Sequence, residues 1–204
     1  MNILCIGDVV GKPGRLAVER LLPALAKQRG IDLVIANAEN VAGGSGLTPP
    51  LFEKLRACGV DAVTMGDHVY RKREIYPLLA ESDRIVRPAN LAAEAAGRSF
   101  TVLEVAGVKV GLFCLLGRMF MKPADCPFHA ADRVLGELPA DVKVIVVDAH
   151  AEATSEKLAL AKYLAGRVSV VFGTHTHVPT ADECILAGHT AYITDTGMTG
   201  PHDS

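Results

Sequence analysis

Lys143–His150 reads KVIVVDAH: a β-branched apolar run over Lys143–Val147 that gives out onto Asp148 and His150. A run this short and this rich in Val and Ile predicts a strand buried on both faces, as in parallel sheets. The same grammar recurs on either side. Asn2–Gly7 (NILCIG) ends on Asp8, and Asp32–Ala36 (DLVIA) on Asn37, Glu39 and Asn40. Asp61–Met65 (DAVTM) ends on Gly66, Asp67 and His68, and Val168–Phe172 (VSVVF) on Gly173, His175 and His177. Five apolar strands thus each release acidic, amide or imidazole groups where the backbone leaves the sheet.

Amphipathic stretches separate these runs. Arg15–Arg29 carries Val18, Leu21, Leu22 and Leu25 on one helical face, with Pro13 ahead of it and Gly30 beyond. Leu51, Leu55 and Cys58 mark a second helical face ending at Gly59; Lys72–Glu81 and Thr154–Ala165 predict two more helices. Phe100–Val105 and Val108–Leu115, joined by Ala106-Gly107, predict an antiparallel hairpin, and Thr190–Thr194 a last strand. The alternation predicts an α/β fold, layered, with mixed β-sheet flanked by helices. Arg118–Pro139 has the weakest periodicity and reads as a cap or lid loop. No repeat, linker or low-complexity stretch divides residues 1–204, so one domain is expected.

Composition narrows the function. With 204 residues, 50% of them hydrophobic, the chain can bury one sizeable core. A net charge of −2 leaves no surplus of Lys and Arg for bulk binding of nucleic acid. Aromatic residues make up 5% with no Trp, so an extended base-stacking surface is not expected either. No apolar run approaches the ~20 residues that span a bilayer. Met1–Asp8 lacks the basic region of a signal peptide, and the five scattered cysteines form no C-x-x-C pair. The expectation is a cytoplasmic chain with free thiols that acts on a small ligand, with no membrane partner.

Ligand sites in open α/β sheets lie outside the carboxyl ends of the strands, so the polar groups above should converge. Four of the seven histidines (His68, His150, His175, His177) belong to this set, whereas His129, His189 and His202 do not. Asp, Glu, Asn and His together suit two divalent transition ions such as Fe, Mn or Zn, and the lack of Cys disfavours a structural thiolate zinc site. Each piece alone has a blander reading: Gly7-Asp8 as a turn, Gly66-Asp67-His68 as a helix cap with a surface histidine. In Gly173–His177 (GTHTH), alternate residues of an extended segment would face one side. Gly7–Lys12 (GDVVGK) lacks P-loop spacing, and Gly43–Gly46 (GGSG) lacks the dinucleotide fingerprint. Both are read as tight loops near the site. Agreement among five strand ends favours a metal site.

GDVVGKPGR (Gly7–Arg15), NAEN (Asn37–Asn40), TMGDH (Thr64–His68), VRPAN (Val86–Asn90), LLGR (Leu115–Arg118), DAHAEATSEK (Asp148–Lys157), GTHTHVPTAD (Gly173–Asp182) and DTGMTGPHD (Asp195–Asp203) follow in one order along the chain. In that order they resemble the bacterial YmdB-like metallophosphoesterases. The resemblance implies a calcineurin-like fold and a dinuclear metal centre, iron first with manganese or zinc as alternatives. It implies hydrolysis of 2′,3′-cyclic nucleotides by a hydroxide bridging the ions. By the same resemblance Asp8, Glu39, Asn40 and His177 serve one metal, with Glu39 bridging. Asp67, His150 and His175 complete the second, and His68 donates a proton to the leaving oxygen. Substrate-binding residues are not assigned.

Two departures from the family pattern bear on these expectations. Relatives usually carry Asn at the position of Asp67, so this site has one more negative charge, which predicts tighter metal retention, weaker phosphate attraction, or a preference for one trivalent iron. Relatives also continue past the position of Ser204, so the expectation is a metallophosphoesterase domain lacking the family's C-terminal segment. Asp148 and Glu152 are expected either to orient His150 or to cap the helix at Thr154. Arg87 and Arg118 are read as phosphate contacts or ion-pair partners, Asn90 as a turn residue and Asp195 as support for the sheet edge. Alternatives to the diesterase are a phosphomonoesterase on a small phosphorylated metabolite and a nucleotide-sensing regulator of RNA processing. A homo-oligomer stays open.

Overall fold

The computed structural model describes residues 1–201, so His202 and Asp203 lie outside the described residues. The first half of the chain runs β1 (Ile3–Ile6), β2 (Asp8–Val9), α1 (Gly11–Arg29), β3 (Leu33–Asn37), α2 (Pro49–Ala57), β4 (Ala62–Thr64), α3 (Ile75–Glu81) and β5 (Ile85–Val86). The second half runs β6 (Phe100–Val105), β7 (Val108–Leu116), α4 (Pro127–Glu137), β8 (Val144–His150), α5 (Thr154–Leu164), β9 (Val170–Thr174), β10 (Cys184–Leu186), β11 (Thr190–Ile193) and β12 (Met198–Thr199).

There are two main sheets. The first is parallel with order β1-β3-β4-β5; the second is mixed with order β10-β11-β9-β8-β7-β6. In the second, β7, β8, β9 and β11 run parallel, while β6 and β10 are antiparallel edges. A small ladder of β12 with β2 ties the end of the described chain back to its start.

Period-two alternation builds the layers. Val34 and Ala36 of β3 face the buried stripes of the first three helices, including Val18, Leu22, Phe52, Leu55, Ile75 and Leu79. Their neighbours Leu33 and Ile35 face the second sheet, meeting Leu103, Val110, Leu112, Val146 and Phe172. The far side of the second sheet (Phe113, Leu115, Val147, Val171) packs under Ala131, Val134, Leu160 and Leu164 of α4 and α5. The result is helix, sheet, sheet, helix, with the carboxyl ends of β3, β4, β8 and β9 on one rim.

Several expectations change in detail. The hairpin forms as expected, with Ala106 (φ 49°) and Gly107 (φ 78°) both left-handed, as a two-residue connection of right-twisted strands requires. β8 and β9 run further than their apolar cores, because the parallel ladder continues to the His150–Thr174 register; Asp148 and His150 are therefore strand residues. Asp8 likewise sits in β2, not in a turn. The segment read as a lid loop contains α4. Only half of the α1 stripe is covered: Val18 and Leu22 are buried, but Leu21 (66% exposed) and Leu25 flank the open edge of β1.

Candidate metal centre

β3 delivers Glu39 and Asn40, β4 delivers Asp67 and His68, β8 carries His150, β9 leads into His175 and His177, and β2 holds Asp8. The structure brings all eight side chains onto one rim, in two lobes. In the first lobe a donor atom from each of Glu39, Asp67, His150 and His175 lies within 4.8 Å of the others. His150 Nε2 stands 3.3 Å from Glu39 Oε1, 3.5 Å from Asp67 Oδ1 and 3.1 Å from His175 Nδ1. In the second lobe Asn40 Nδ2 is 3.3 Å from Asp8 Oδ1, 3.3 Å from Glu39 Oε1 and 3.2 Å from His177 Nε2. His177 Nε2 lies 3.6 Å from Asp8 Oδ1. Glu39 belongs to both lobes.

His68 stands between them. Its backbone N–H donates to Glu39 Oε2 at 2.9 Å, its Nδ1 meets Asn40 Oδ1 at 2.8 Å, and its Nε2 is 3.8 Å from Asp67 Oδ2.

The route taken by His175 and His177 differs from the expectation. Neither is extended: both are left-handed, at φ 96° and 65°, and they diverge, one to each lobe. An extended segment would have put both imidazoles on the same side.

The residues fit a metal group. Asp67 Oδ1 is buried without a hydrogen-bond donor, where a buried carboxylate oxygen ordinarily has one. Gly66 contributes by omission: a Cβ there would overlap His150 Nε2 and Glu39 Oε2, so the chain leaves that volume to the donor atoms. The donor set is nitrogen and oxygen without sulfur, which suits Fe, Mn or Zn. Its electrostatics agree. His150 Nε2 holds the Asp67 carboxyl well below its ordinary value, against the opposing effect of burial. Burial pushes the His150 imidazole down, but Glu39, Asp67 and Asp8 overcome it and leave the group well above its ordinary value. Three crowded carboxylates thus draw positive charge inward, as a bound cation would answer.

The surrounding polar residues are mostly spent on structure. Asp148 is fully buried and reaches His150 through Thr174: His150 Nδ1 meets Thr174 Oγ1 at 2.8 Å, which donates to Asp148 Oδ1 at 2.5 Å. Glu152 instead stands 3.3 Å from His175 Nε2. Neither caps α5, whose N-cap is Ala153 with no side-chain bond. Arg87 is buried and donates to the carbonyls of Pro88, Ala93, Ala95 and Gly97, so its guanidinium is committed to a loop and not to phosphate. Asn90 is more than a turn residue: it joins Leu116 to Asp125. Arg118 is exposed, and its backbone N–H donates to Glu156. Sequence reasoning missed Thr174 and Thr176, although both alternate with the histidines of the GTHTH run. It also missed Lys122, whose Nζ lies 3.9 Å from Asp67 Oδ2; a lone lysine in a segment without periodicity carries no signal.

Comparison with known proteins shows the family of the chain. A family model described as YmdB-like protein matches residues 4–204. The 2′,3′-cyclic-nucleotide 2′-phosphodiesterase of Bacillus subtilis strain 168 is 47% identical over 203 residues, covering 100% of this chain and 77% of that protein. The crystal structure of a hypothetical protein from Thermus thermophilus superposes with a TM-score of 0.94 at 49% identity, covering 100% of this chain and 79% of that one. A structure described as a novel phosphatase from Mycoplasma pneumoniae gives 0.89 at 37% identity, covering 96% and 71%. With the match spanning nearly its whole length, the chain belongs to the YmdB-like family, and its two-sheet layering is a calcineurin-like metallophosphoesterase fold.

Proposed function

We propose that the chain is a metal-dependent phosphoesterase that hydrolyses a 2′,3′-cyclic nucleotide. The observation that carries this reading is the cluster of ligand atoms from Glu39, Asp67, His150 and His175, with Asp8 and His177 drawn in beside it through Asn40, next to a histidine held in place by hydrogen bonds. Asp8 and His177 would hold one ion together with Glu39. Asn40 would join them only through Oδ1, the oxygen that accepts from His68 Nδ1, since its Nδ2 can donate but not ligate. Asp67, His150 and His175 would hold the other ion. Iron is the first expectation, with manganese or zinc as alternatives. When bound, such ions make water acidic enough to attack near neutral pH and offset the charge that builds on the phosphoryl oxygens.

The chain's own groups do the rest. Attack on phosphorus by water forms one P–O bond and breaks one of the two bonds to ribose oxygen, and that oxygen needs a proton. Asn40 Oδ1 can only accept, so His68 Nδ1 is the donor of their 2.8 Å bond and Nε2 is the open nitrogen. The proton passed to the ribose oxygen therefore leaves from Nε2 of the doubly protonated ring. Lys122, 62% exposed at the mouth of the first lobe, is free to swing onto the anionic phosphate. The name of the Bacillus subtilis relative supports the substrate class, and the free thiols suit a reducing, cytoplasmic setting. A second reading, a phosphomonoesterase, draws on the Mycoplasma pneumoniae phosphatase.

The test is a panel of 2′,3′-cyclic AMP, a linear diester and a phosphomonoester, assayed with the Mn²⁺-loaded and Fe-loaded protein. Turnover of the cyclic diester should exceed both others. A monoester preference would overturn the diesterase reading in favour of the phosphatase. Metal binding without turnover of any of the three would leave a nucleotide-sensing module.

A further inference from the structure

His175 and His177 are both left-handed without being glycine, a conformation that persists only where the surroundings impose it. The His175 N–H is held by Asp8 Oδ2 at 3.0 Å, and the residue between the two histidines supplies the rest of the restraint. Thr176 donates twice to one carboxylate oxygen, Asp195 Oδ2: from its hydroxyl at 2.7 Å and from its backbone N–H at 3.3 Å. The same oxygen accepts from Lys157 Nζ at 2.6 Å, and Asp195 Oδ1 accepts from the Gly197 N–H at 2.7 Å. The backbone flanking the loop is tied to the same residue, since the Thr180 N–H donates to Asp195 O at 3.0 Å.

The ion pair behind this arrangement is unusual. Lys157 is 0% exposed and Asp195 1%, although Lys and Asp are almost never fully buried. A Cβ on Gly173 would overlap Thr194 O and fall 2.9 Å from Lys157 Cδ, so glycine at that point of β9 lets both the Thr194 carbonyl and the lysine stem come close beneath the loop. A buried ion pair is a poor source of stability compared with apolar residues of the same volume, and its best-attested use is to enforce one geometry.

We propose that Lys157 and Asp195 are positioning residues for the metal centre. Through Thr176 they hold the backbone of the histidine loop left-handed, so that His175 faces the first lobe and His177 the second before any ion arrives. The inference rests on the metal-centre reading above and adds to it the device that sets ligand direction.

Mn²⁺ titration by calorimetry tests it, alongside thermal unfolding of the metal-free protein. Thr176→Val removes the hydroxyl donor while keeping the branched shape, and Thr176→Ser keeps the donor. The expected result is a loss of Mn²⁺ affinity of about ten-fold or more in Thr176→Val, as for other groups that orient ligands, and recovery to near the wild-type value in Thr176→Ser. Lys157→Met should follow Thr176→Val if it folds; if it does not, the threonine pair still decides. Wild-type affinity in Thr176→Val, with or without a lower melting temperature, would show that the pair serves stability alone and would overturn the proposal. Loss of binding in His175→Ala and His177→Ala in that same experiment would leave the metal centre standing. Failure of the wild-type protein to bind Mn²⁺ would overturn both.

Discussion

Thr174 donates its hydroxyl proton to Asp148 across 2.5 Å, and that commitment decides the state of a third residue. With its proton spent, the Thr174 oxygen can only accept from His150 Nδ1, 2.8 Å away. His150 must then carry a proton on Nδ1, which in the neutral ring leaves Nε2 bare toward Glu39 and Asp67. Asp148 is itself held by Thr64 Oγ1 at 2.5 Å and Asn37 Nδ2 at 3.1 Å, so the relay has a fixed base. Thr174→Val should therefore weaken Mn²⁺ binding by about 10–100-fold without unfolding the protein. Calorimetry measures the affinity, and nitrogen chemical shifts of His150 report the tautomer. Unchanged affinity and an unchanged tautomer would show the relay to be idle.

Asp67 adds a full negative charge where an amide would add none, and its carboxyl is held well below the ordinary range by the nearby His150, against the effect of burial. Asp67→Asn should then surrender metal at a lower chelator concentration and bind an anionic diester with a lower KM. Metal content after graded dialysis against chelator, with KM measured on protein reloaded with Mn²⁺, checks both halves. If neither moves, the extra charge has no consequence at this site.

The parts of the fold legible in the sequence are those with long-range periodicity. Val34 and Ile35 point to opposite faces because a strand's period is two, and that alternation can be read from DLVIA alone. The split into two sheets was not legible, since runs buried on both faces look alike whichever sheet they join. Asp148 and His150 read as post-strand residues because polarity ended the apolar run, yet the ladder beside β9 satisfied their backbone and carried the strand through them. At the site, convergence was legible from strand ends, whereas the divergence of His175 and His177 was not, because left-handed histidines leave no mark in composition.

His68 has its ring tied to Asn40 and its backbone to Glu39, while the donor atoms of both lobes are supplied by other residues. His68→Ala should keep bound metal and lose about 10²–10⁴-fold in turnover of a diester, the range of a single proton donor. Metal analysis alongside steady-state kinetics separates the cases. Parallel loss of metal and activity would make His68 a ligand.

Asn90 is 1% exposed and makes three hydrogen bonds that join the end of β7 to the loop at Asp125. Truncation leaves the Leu116 N–H and C=O without their partner in a buried place. Asn90→Ala should cost about 2–3 kcal/mol of unfolding free energy, visible as a lower urea midpoint at constant slope. A loss below about 0.5 kcal/mol would mean water replaces the amide.

Gly66 offers the sharpest probe of the cradle. It is not among the left-handed glycines, so alanine is conformationally permitted there and any effect comes from the added methyl. That methyl would collide with His150 Nε2 of the first lobe and with Glu39 Oε2, the sister oxygen of the one that faces His150, both groups being anchored from behind: His150 by Thr174, Glu39 by the His68 N–H. Anchored groups cannot retreat cheaply, so the collision should fall on the cation site more than on the fold. Gly66→Ala is expected to lose binding in the first lobe, which needs both struck groups, and to weaken the second, which shares Glu39, so that Mn²⁺ stoichiometry falls by half or more with the circular dichroism spectrum unchanged. Full stoichiometry in Gly66→Ala would mean that the volume beside His150 is not where metal sits.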